Sequence, residues 1–527
     1  MKRLFELSLT ALLAVCCTAV VLEDPAVGTP DSPAPDPDML VLGRRLEDPY
    51  SVENMTKALE AVYPTKASRV PVPTTHYYVR FLPANEQEYD MLEGRGIHLL
   101  DHPMDYEIVR EGDWYHDPEV PEGKITWQYA AVPKDKPWPR VVRYEILHEC
   151  HIPDDAKSTK SADGIDWAAV EREAFRLTGN GALLEENLTK ANQEESTPAG
   201  RITIVDPKRG GEPEGVRGVH VTCNLFVKVA SAYTDEDGRY RMTRSFSGKP
   251  RYRIVFKNSA GFCIGFNLLL VPASVSSLGV GEATGLDVQI DRNSDRRLFS
   301  RSVVSNAGYD YIHRCGATTP SLKAPPSNLR LWLFQGLDVS CSAMLQQGAL
   351  IDNGPVGKLL GIYAILLKIF LPDIMLGLKD RADYADIYAE ATHAFAHASH
   401  FMLAGKDYWD HYVRFLIRSF VTSGFTVYGT GTEEDHGYCE VSEMWAFFFQ
   451  TILYRERYGA KDLPQFGYDK WFHPQILLQL EEKGLDANRI YQVLGEDVTD
   501  REMLQKKLTS YYPEFKSAIN EAFARYN

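Results

Sequence analysis

The strongest constraint on this chain is a change of hydrophobic period part-way along it. From Gly200 to about residue 290, apolar and polar residues alternate, as in Ile202/Ile204 and Tyr252/Ile254/Phe256, and turn residues punctuate the runs. A period of two places every second side chain on one face of a strand, so this stretch predicts a half-buried β unit. After about residue 296 the period lengthens. Amphipathic stretches over 381–404, 408–423 and 440–458 predict long helices, and the chain reads as helical through residue 527. Strand runs followed by helix runs predict a multidomain α+β protein. The length of 527 residues agrees, at roughly 150 residues per domain.

The remaining boundaries follow from local composition. The opening MKRLFELSLTALLAVCCTAVVLEDP has a basic start at Lys2 and Arg3 and an apolar, uncharged run from Leu7 to Val21. That length suits a signal peptide over 1–22 rather than a bilayer span. Cys16 and Cys17 close the run, as in bacterial lipoprotein signals, although Val15 stands where a small residue is usual. The expectation is export, with Cys17 or Cys16 lipidated. One acyl anchor ties a protein to a membrane surface, here the bacterial cell surface or periplasmic face, at the outer membrane. Residues 23–65, rich in Pro and acid, read as a tether. Residues 66–160 read as an N-terminal α+β domain, 161–198 as a helical connector, 199–295 as a β-sandwich and 296–527 as the helical domain. The apolar runs Asn258–Gly281 and Leu359–Leu371 are too interrupted to span a bilayer and read as buried strands or a core helix.

Acidic residues exceed basic ones by 72 − 57 = 15. Such a chain lacks the cationic surface that binds phosphate backbones, which excludes a general nucleic-acid binder. The eight Cys are too few for a disulfide scaffold. Cys223 with Cys263, and Cys315 with Cys341, are the pairs to consider. Asp235 and Asp237 in TDEDGRY read as a solvated hairpin turn rather than a calcium loop, with Gly238 at positive φ.

The chemistry concentrates in DIYAEATHAFAHASHF. His393 and His397 stand at i and i+4, about 40° apart on a helical wheel, so both imidazoles reach one point. A helix offers two nitrogens to Zn²⁺ in this way. The next strong helix, CEVSEMWAFFFQ, supplies a third ligand: Glu443, with Glu440 as the alternative. Glu390 lies one turn before His393 on the same stripe, and His400 one turn beyond His397. Glu434, Asp435, His436 and Tyr428 fall in the loop before the second helix; Glu390 and Glu434 are candidate bases, Tyr428 and His436 candidate oxyanion donors. LHECHIP offers another pair, His148 and His151, whose i, i+3 spacing in a loop marks a chance cluster.

Two resemblances rest on these residues. GRITIVD, GVRGVHV, the TDEDGRY turn and RYRIVFKN resemble the transthyretin/carboxypeptidase-regulatory-like sandwich, an accessory module without chemistry of its own. The paired His helix with a Glu on the following helix resembles the gluzincin branch of zinc metallopeptidases. THYYVRFLP, GDWYHDP, LPDIMLG, HASHF and SEMWAF extend the similarity to a group of Gram-negative surface lipoproteins with a zinc-peptidase domain. The resemblance implies a zincin-like C-terminal domain, a bound zinc and a substrate-binding edge strand near Leu371–Gly377. It also exposes a departure. The gluzincin motif places its general base directly after the first His, and here that residue is Ala394. Losing such a base removes about 10²–10⁴-fold in rate. The expectation is a metallopeptidase-like pseudoenzyme that binds a peptide or protein. The alternatives are an active peptidase with a displaced base and a non-enzymatic surface adhesion protein.

Overall fold

The computed structural model describes residues 38–65, 70–121, 124–153, 164–184, 196–265, 273–293, 295–317, 319–350, 372–422 and 428–526. The expected signal peptide, both candidate lipidation cysteines and the run Leu359–Leu371 lie outside the described residues. The protein is mixed α+β. No helix among the described residues is long and apolar enough to cross a membrane.

The N-terminal region begins with β1 (Val41–Arg45) and α1 (Val52–Val62). It continues through β2 (His76–Leu82), α2 (Glu86–Glu93), β3 (Tyr106–Arg110), β4 (Gln128–Pro133), β5 (Arg143–Cys150) and α3 (Trp167–Leu177). Strand β2 is the centre of an antiparallel sheet ordered β4–β2–β5, and β1 pairs with β3. Alternation sends Val79 and Phe81 against Leu92 of α2, and Tyr78 into the main core. The tether expected over 23–65 therefore ends early. Met55, Ala58 and Leu59 form an apolar stripe at helical spacing that packs on Val170 and Ala174 of α3. The Ser51 side chain caps α1 by accepting from Asn54 N. The Pro-rich composition belongs to the residues before 38.

The next nine strands are β6 (Ala199–Val205), β7 (Pro213–Gly215), β8 (His220–Leu225), β9 (Lys228–Tyr233), β10 (Arg239–Arg241), β11 (Arg251–Val255), β12 (Phe262–Ile264), β13 (Val275–Val280) and β14 (Val288–Ile290). They make two four-stranded sheets, β10–β6–β14 with β7 against β6, and β13–β11–β8–β9. Ile202, Ile204, Val221, Cys223, Tyr252 and Ile254 share one core between them. Asp235 Oδ1 accepts from the backbone N–H of Asp237 and Arg239, so its turn is self-satisfied. Gly238 sits at φ 76, where an added Cβ would meet Ile202 O at 2.1 Å.

Strand β12 departs from the expected boundary at residue 295. It joins neither sandwich sheet but pairs in parallel with β15 (Leu329–Phe334), which pairs in parallel with β16 (Ile374–Gly377). The C-terminal region thus borrows a strand from the preceding segment. Among the described residues its helices are α4 (Arg296–Gly316), α5 (Tyr384–Thr422), α6 (His436–Tyr458) and four shorter ones, α7 (Gln475–Glu482), α8 (Ala487–Tyr491), α9 (Arg501–Tyr511) and α10 (Lys516–Ala524). The two helices expected at 381–404 and 408–423 both form, separated by a break at non-helical Gly405 (φ 85), and are labelled together as α5. The six described cysteines form no disulfide with one another. Cys223 and Cys263 lie on strands of different sheets, β8 and β12. Cys315 ends α4, whereas Cys341 pairs its backbone with β16. Neither expected disulfide forms.

One buried polar network ties α1's approach, α3 and the sandwich together. Glu171 of α3 accepts from Tyr50 Oη at 2.6 Å and Ser247 Oγ at 2.7 Å, and faces Lys228 Nζ at 3.4 Å. Both charged side chains are fully buried. Removing one partner strands the other charge, which costs about 3–5 kcal/mol. Lys228→Met is therefore expected to lower unfolding free energy by about that amount, measured by urea denaturation of the full chain. A change below about 1 kcal/mol would show that the pair does not hold these regions together.

Candidate metal centre

The site is built on two packed helices. Ala391, Phe395, Ala396 and Ala398 of α5 are buried, as are Met444, Trp445, Phe448 and Phe449 of α6. The small Ala side chains permit close approach, and Trp445 Nε1 donates to Ala396 O across the contact at 3.3 Å. This packing carries His393 and His397 on α5 toward Glu443 on α6.

The three donors converge. His393 Nε2 and His397 Nε2 lie 3.1 Å apart. Glu443 places Oε2 3.4 Å from His393 Nε2 and Oε1 3.3 Å from His397 Nε2. Metal–ligand bonds of about 2.0–2.1 Å at tetrahedral angles separate neighbouring ligand atoms by about 3.3 Å. Each observed spacing is close to that edge, with the two imidazoles facing different oxygens of Glu443, and the grouping could hold a metal ion. All three residues are buried. His393 Nδ1, His397 Nδ1 and Glu443 Oε2 have no hydrogen-bond partner among the described residues. The fourth direction opens on a cavity of about 240 Å³, lined by Ala394, Glu390, Tyr412, Tyr428, Phe447 and residues 338–342 among others.

Electrostatics follow the geometry. Burial pushes the Glu443 carboxyl up, but His397 and then His393 more than reverse it and hold it well below the usual carboxylate range. Burial lowers the His397 pKa, and the Glu443 charge opposes that only in part. Tyr412 Oη donates to Glu443 Oε1 at 2.8 Å and so fixes the carboxylate. Burial, and then Glu443, raise the Tyr412 phenol well above its ordinary value.

The other expected site residues separate cleanly. Ala394 is buried and contributes its methyl group to the cavity wall. Glu390 also lines the cavity, but its Oε2 is paired with Arg381 at 2.9 Å. Tyr428 lines the cavity, with its phenol pKa raised first by burial and then by Glu443. His436 lies elsewhere: it is the first residue of α6, and its Nδ1 donates to Glu433 O at 2.8 Å. Glu440, one turn before Glu443, points away from the imidazoles and pairs with Arg501 at 3.3 Å. Both line a separate, open cavity of about 660 Å³. Glu434 is exposed and pairs with Arg418. His400 is a core residue between Leu494 O and Ser442 Oγ, its pKa pushed down to about 3 by burial and His397.

The edge strand expected at Leu371–Gly377 differs in one respect. The outer edge of β16 is taken by the chain itself: Cys341 exchanges both backbone hydrogen bonds with Met375, and Lys379 N donates to Leu337 O. Residues 338–342, not β16, form the cavity rim. Trp409 Nε1 fixes that rim to α5 by donating to Ser342 O at 2.9 Å. The rim, Tyr412 and Arg381 were not legible from spacing. Tyr412 follows the break at Gly405, so no single helical wheel connects it to His397. No family model, curated protein or solved structure matches this chain.

Protein stripped with chelator and dialysed against zinc should retain one equivalent less in His393→Ala, His397→Ala or Glu443→Gln than in the wild type, by elemental analysis. Glu440→Gln should retain the wild-type amount. Unchanged metal content in all three ligand variants would remove the centre.

Proposed function

We propose that this chain is an exported, lipid-anchored, zincin-like protein. It holds zinc between His393, His397 and Glu443 and uses the adjoining cleft to bind peptide or protein segments, without ordinary peptidase turnover. The supporting observation is the pairing of a donor triad with a methyl group, Ala394, at the position directly after the first imidazole, where the motif's base would stand. Two imidazoles and one carboxylate suit a borderline ion such as Zn²⁺. Bound there, zinc supplies a Lewis acid and an acidified water. A peptidase must then take a proton from that water. The Ala394 methyl group occupies the base position and cannot do so. Of the two other carboxylates on the wall, Glu390 is engaged by Arg381 and Asp338 sits exposed on the rim.

The chain's remaining groups suit binding. Residues 338–342 line the cavity beside the triad and bridge to β16 through Cys341, so an extended peptide lying along them would continue that sheet. Phe447 supplies an apolar surface, with its ring 4.3 Å from that of His393. Tyr428 also lines the cavity, and its hydroxyl is the candidate donor to a bound carbonyl. The leader motif supports export and anchoring, and the strand pattern of residues 199–292 supports the accessory-sandwich reading.

Glu390 gives a second reading some footing, because it lines the same cavity. If it left Arg381, it would be the displaced base of an active enzyme. Assay of a denatured protein substrate with zinc separates the readings. The wild type is expected to show no cleavage above a chelated control, and Ala394→Glu to gain about 10²-fold or more. Zinc-dependent cleavage by the wild type that is lost in both His393→Ala and Glu390→Gln would overturn the pseudoenzyme reading in favour of the second.

A further inference from the structure

A second group of metal-binding side chains lies in the N-terminal region, away from the α5–α6 centre. Asp48, His148 and Cys150 present one ligand atom each, all within 4.8 Å of one another. The sequence motif LHECHIP placed its histidines in a loop; the structure places His148 and Cys150 on β5. At i and i+2 they share one face of the strand. His151 takes no part, since its Nδ1 donates to Pro73 O at 2.8 Å. The third ligand comes from a distant segment that sequence spacing could not reveal.

That segment is built to hold Asp48 in place. It runs along β5, with Ser51 bridging Cys150 and His151 N donating to Tyr50 O. Tyr50 N donates to Asp48 Oδ1 at 2.9 Å, and Asn54 Nδ2 holds the Asp48 carbonyl. Oδ2 is thereby aimed at the strand, 2.8 Å from His148 Nε2 and 3.9 Å from Cys150 Sγ. On β5 the register against β2 slips between Ile146 and His148, leaving Leu147 unpaired. Such bulges re-aim the side chains beside them. The His148 ring is further set by edge contact with Tyr78 at 5.1 Å.

We propose that Asp48, His148 and Cys150 form a second, independent site for a divalent transition ion of the zinc and cobalt class. A tetrahedral site with metal–sulfur near 2.3 Å and metal–nitrogen or –oxygen near 2.0–2.1 Å needs ligand separations of about 3.3–3.6 Å; the two Asp48 separations, 2.8 and 3.9 Å, lie within roughly half an ångström of that, and His148 and Cys150 offer ligand atoms within 4.8 Å. On binding, the imidazole offers the Nε2 lone pair with its proton on Nδ1, and the thiol releases its proton to solvent. Carboxylate and thiolate together carry two negative charges, which a divalent cation cancels in a buried setting. The Asp48 and Cys150 side chains are almost fully covered, whereas the His148 side chain keeps 23% exposure. Access and a fourth ligand therefore come from the His148 side. The site differs from the α5–α6 centre by its sulfur, and this makes the two separable.

The test is cobalt titration of the chelator-stripped full chain. Thiolate-to-cobalt charge transfer absorbs in the near ultraviolet, and a centre of two His and one Glu gives no such band. The wild type and Cys341→Ser are expected to show the band, and Cys150→Ser to lose it. His148→Ala should weaken cobalt binding at this site at least about tenfold, and this side chain is exposed enough to change without unfolding the region. His393→Ala should leave the band intact. Absence of the band at saturating cobalt, its persistence in Cys150→Ser, or its loss in Cys341→Ser alone would each overturn the assignment and leave a hydrogen-bonded cluster only.

Discussion

The central constraint is the close approach of α5 and α6. Alanines on α5 let the helices pack tightly enough that two imidazoles and a carboxylate face one another at 3.1–3.4 Å in a water-poor interior. Such an arrangement is costly unless the donors share a charge or an ion. Two Nε2 atoms directed at each other and at one carboxylate gain little from hydrogen bonding alone. The Tyr412 hydroxyl, the Trp409 anchor and the aromatic packing around the rings all serve to keep the donors in place.

Against that geometry of the donors, the wall of the cleft tells a different chemical story. A methyl group stands directly after the first imidazole, and the neighbouring carboxylate is occupied by a guanidinium. Holding an ion and activating its water are separable tasks that need different groups. The site is equipped for the first. A cleft with residues 338–342 at its rim and Phe447 on its wall, beside donors that could hold an ion, fits the proposed capture of an extended chain.

Much of this was legible in the sequence because it depends on local periodicity. The i, i+4 spacing of His393 and His397, the strand alternation around Ile202 and Tyr252, and the Gly405 break are each set by a few neighbouring residues. What was not legible depends on distant segments meeting. Whether Glu440 or Glu443 faced the imidazoles turned on the rotation of α6, which packing of Met444 and Trp445 decides. The Arg381–Glu390 pair, the rim at 338–342 and the partnership of Asp48 with β5 leave no periodic trace. Strand β12 misled the boundary for the same reason: Phe262 and Ile264 are as apolar as a sandwich strand, and only the parallel pairing with β15 reveals their allegiance. His436 looked available in a loop, but it begins a helix and is spent on Glu433 O.

The most direct measurement is the anomalous difference density of a zinc-soaked crystal, collected on both sides of the zinc absorption edge. The account predicts a peak about 2.0–2.1 Å from His393 Nε2, His397 Nε2 and a Glu443 oxygen, with Ala394 beside it and no carboxylate in contact with its open face. Density there showing these side chains packed against one another with no zinc between them, at full soak, would contradict it.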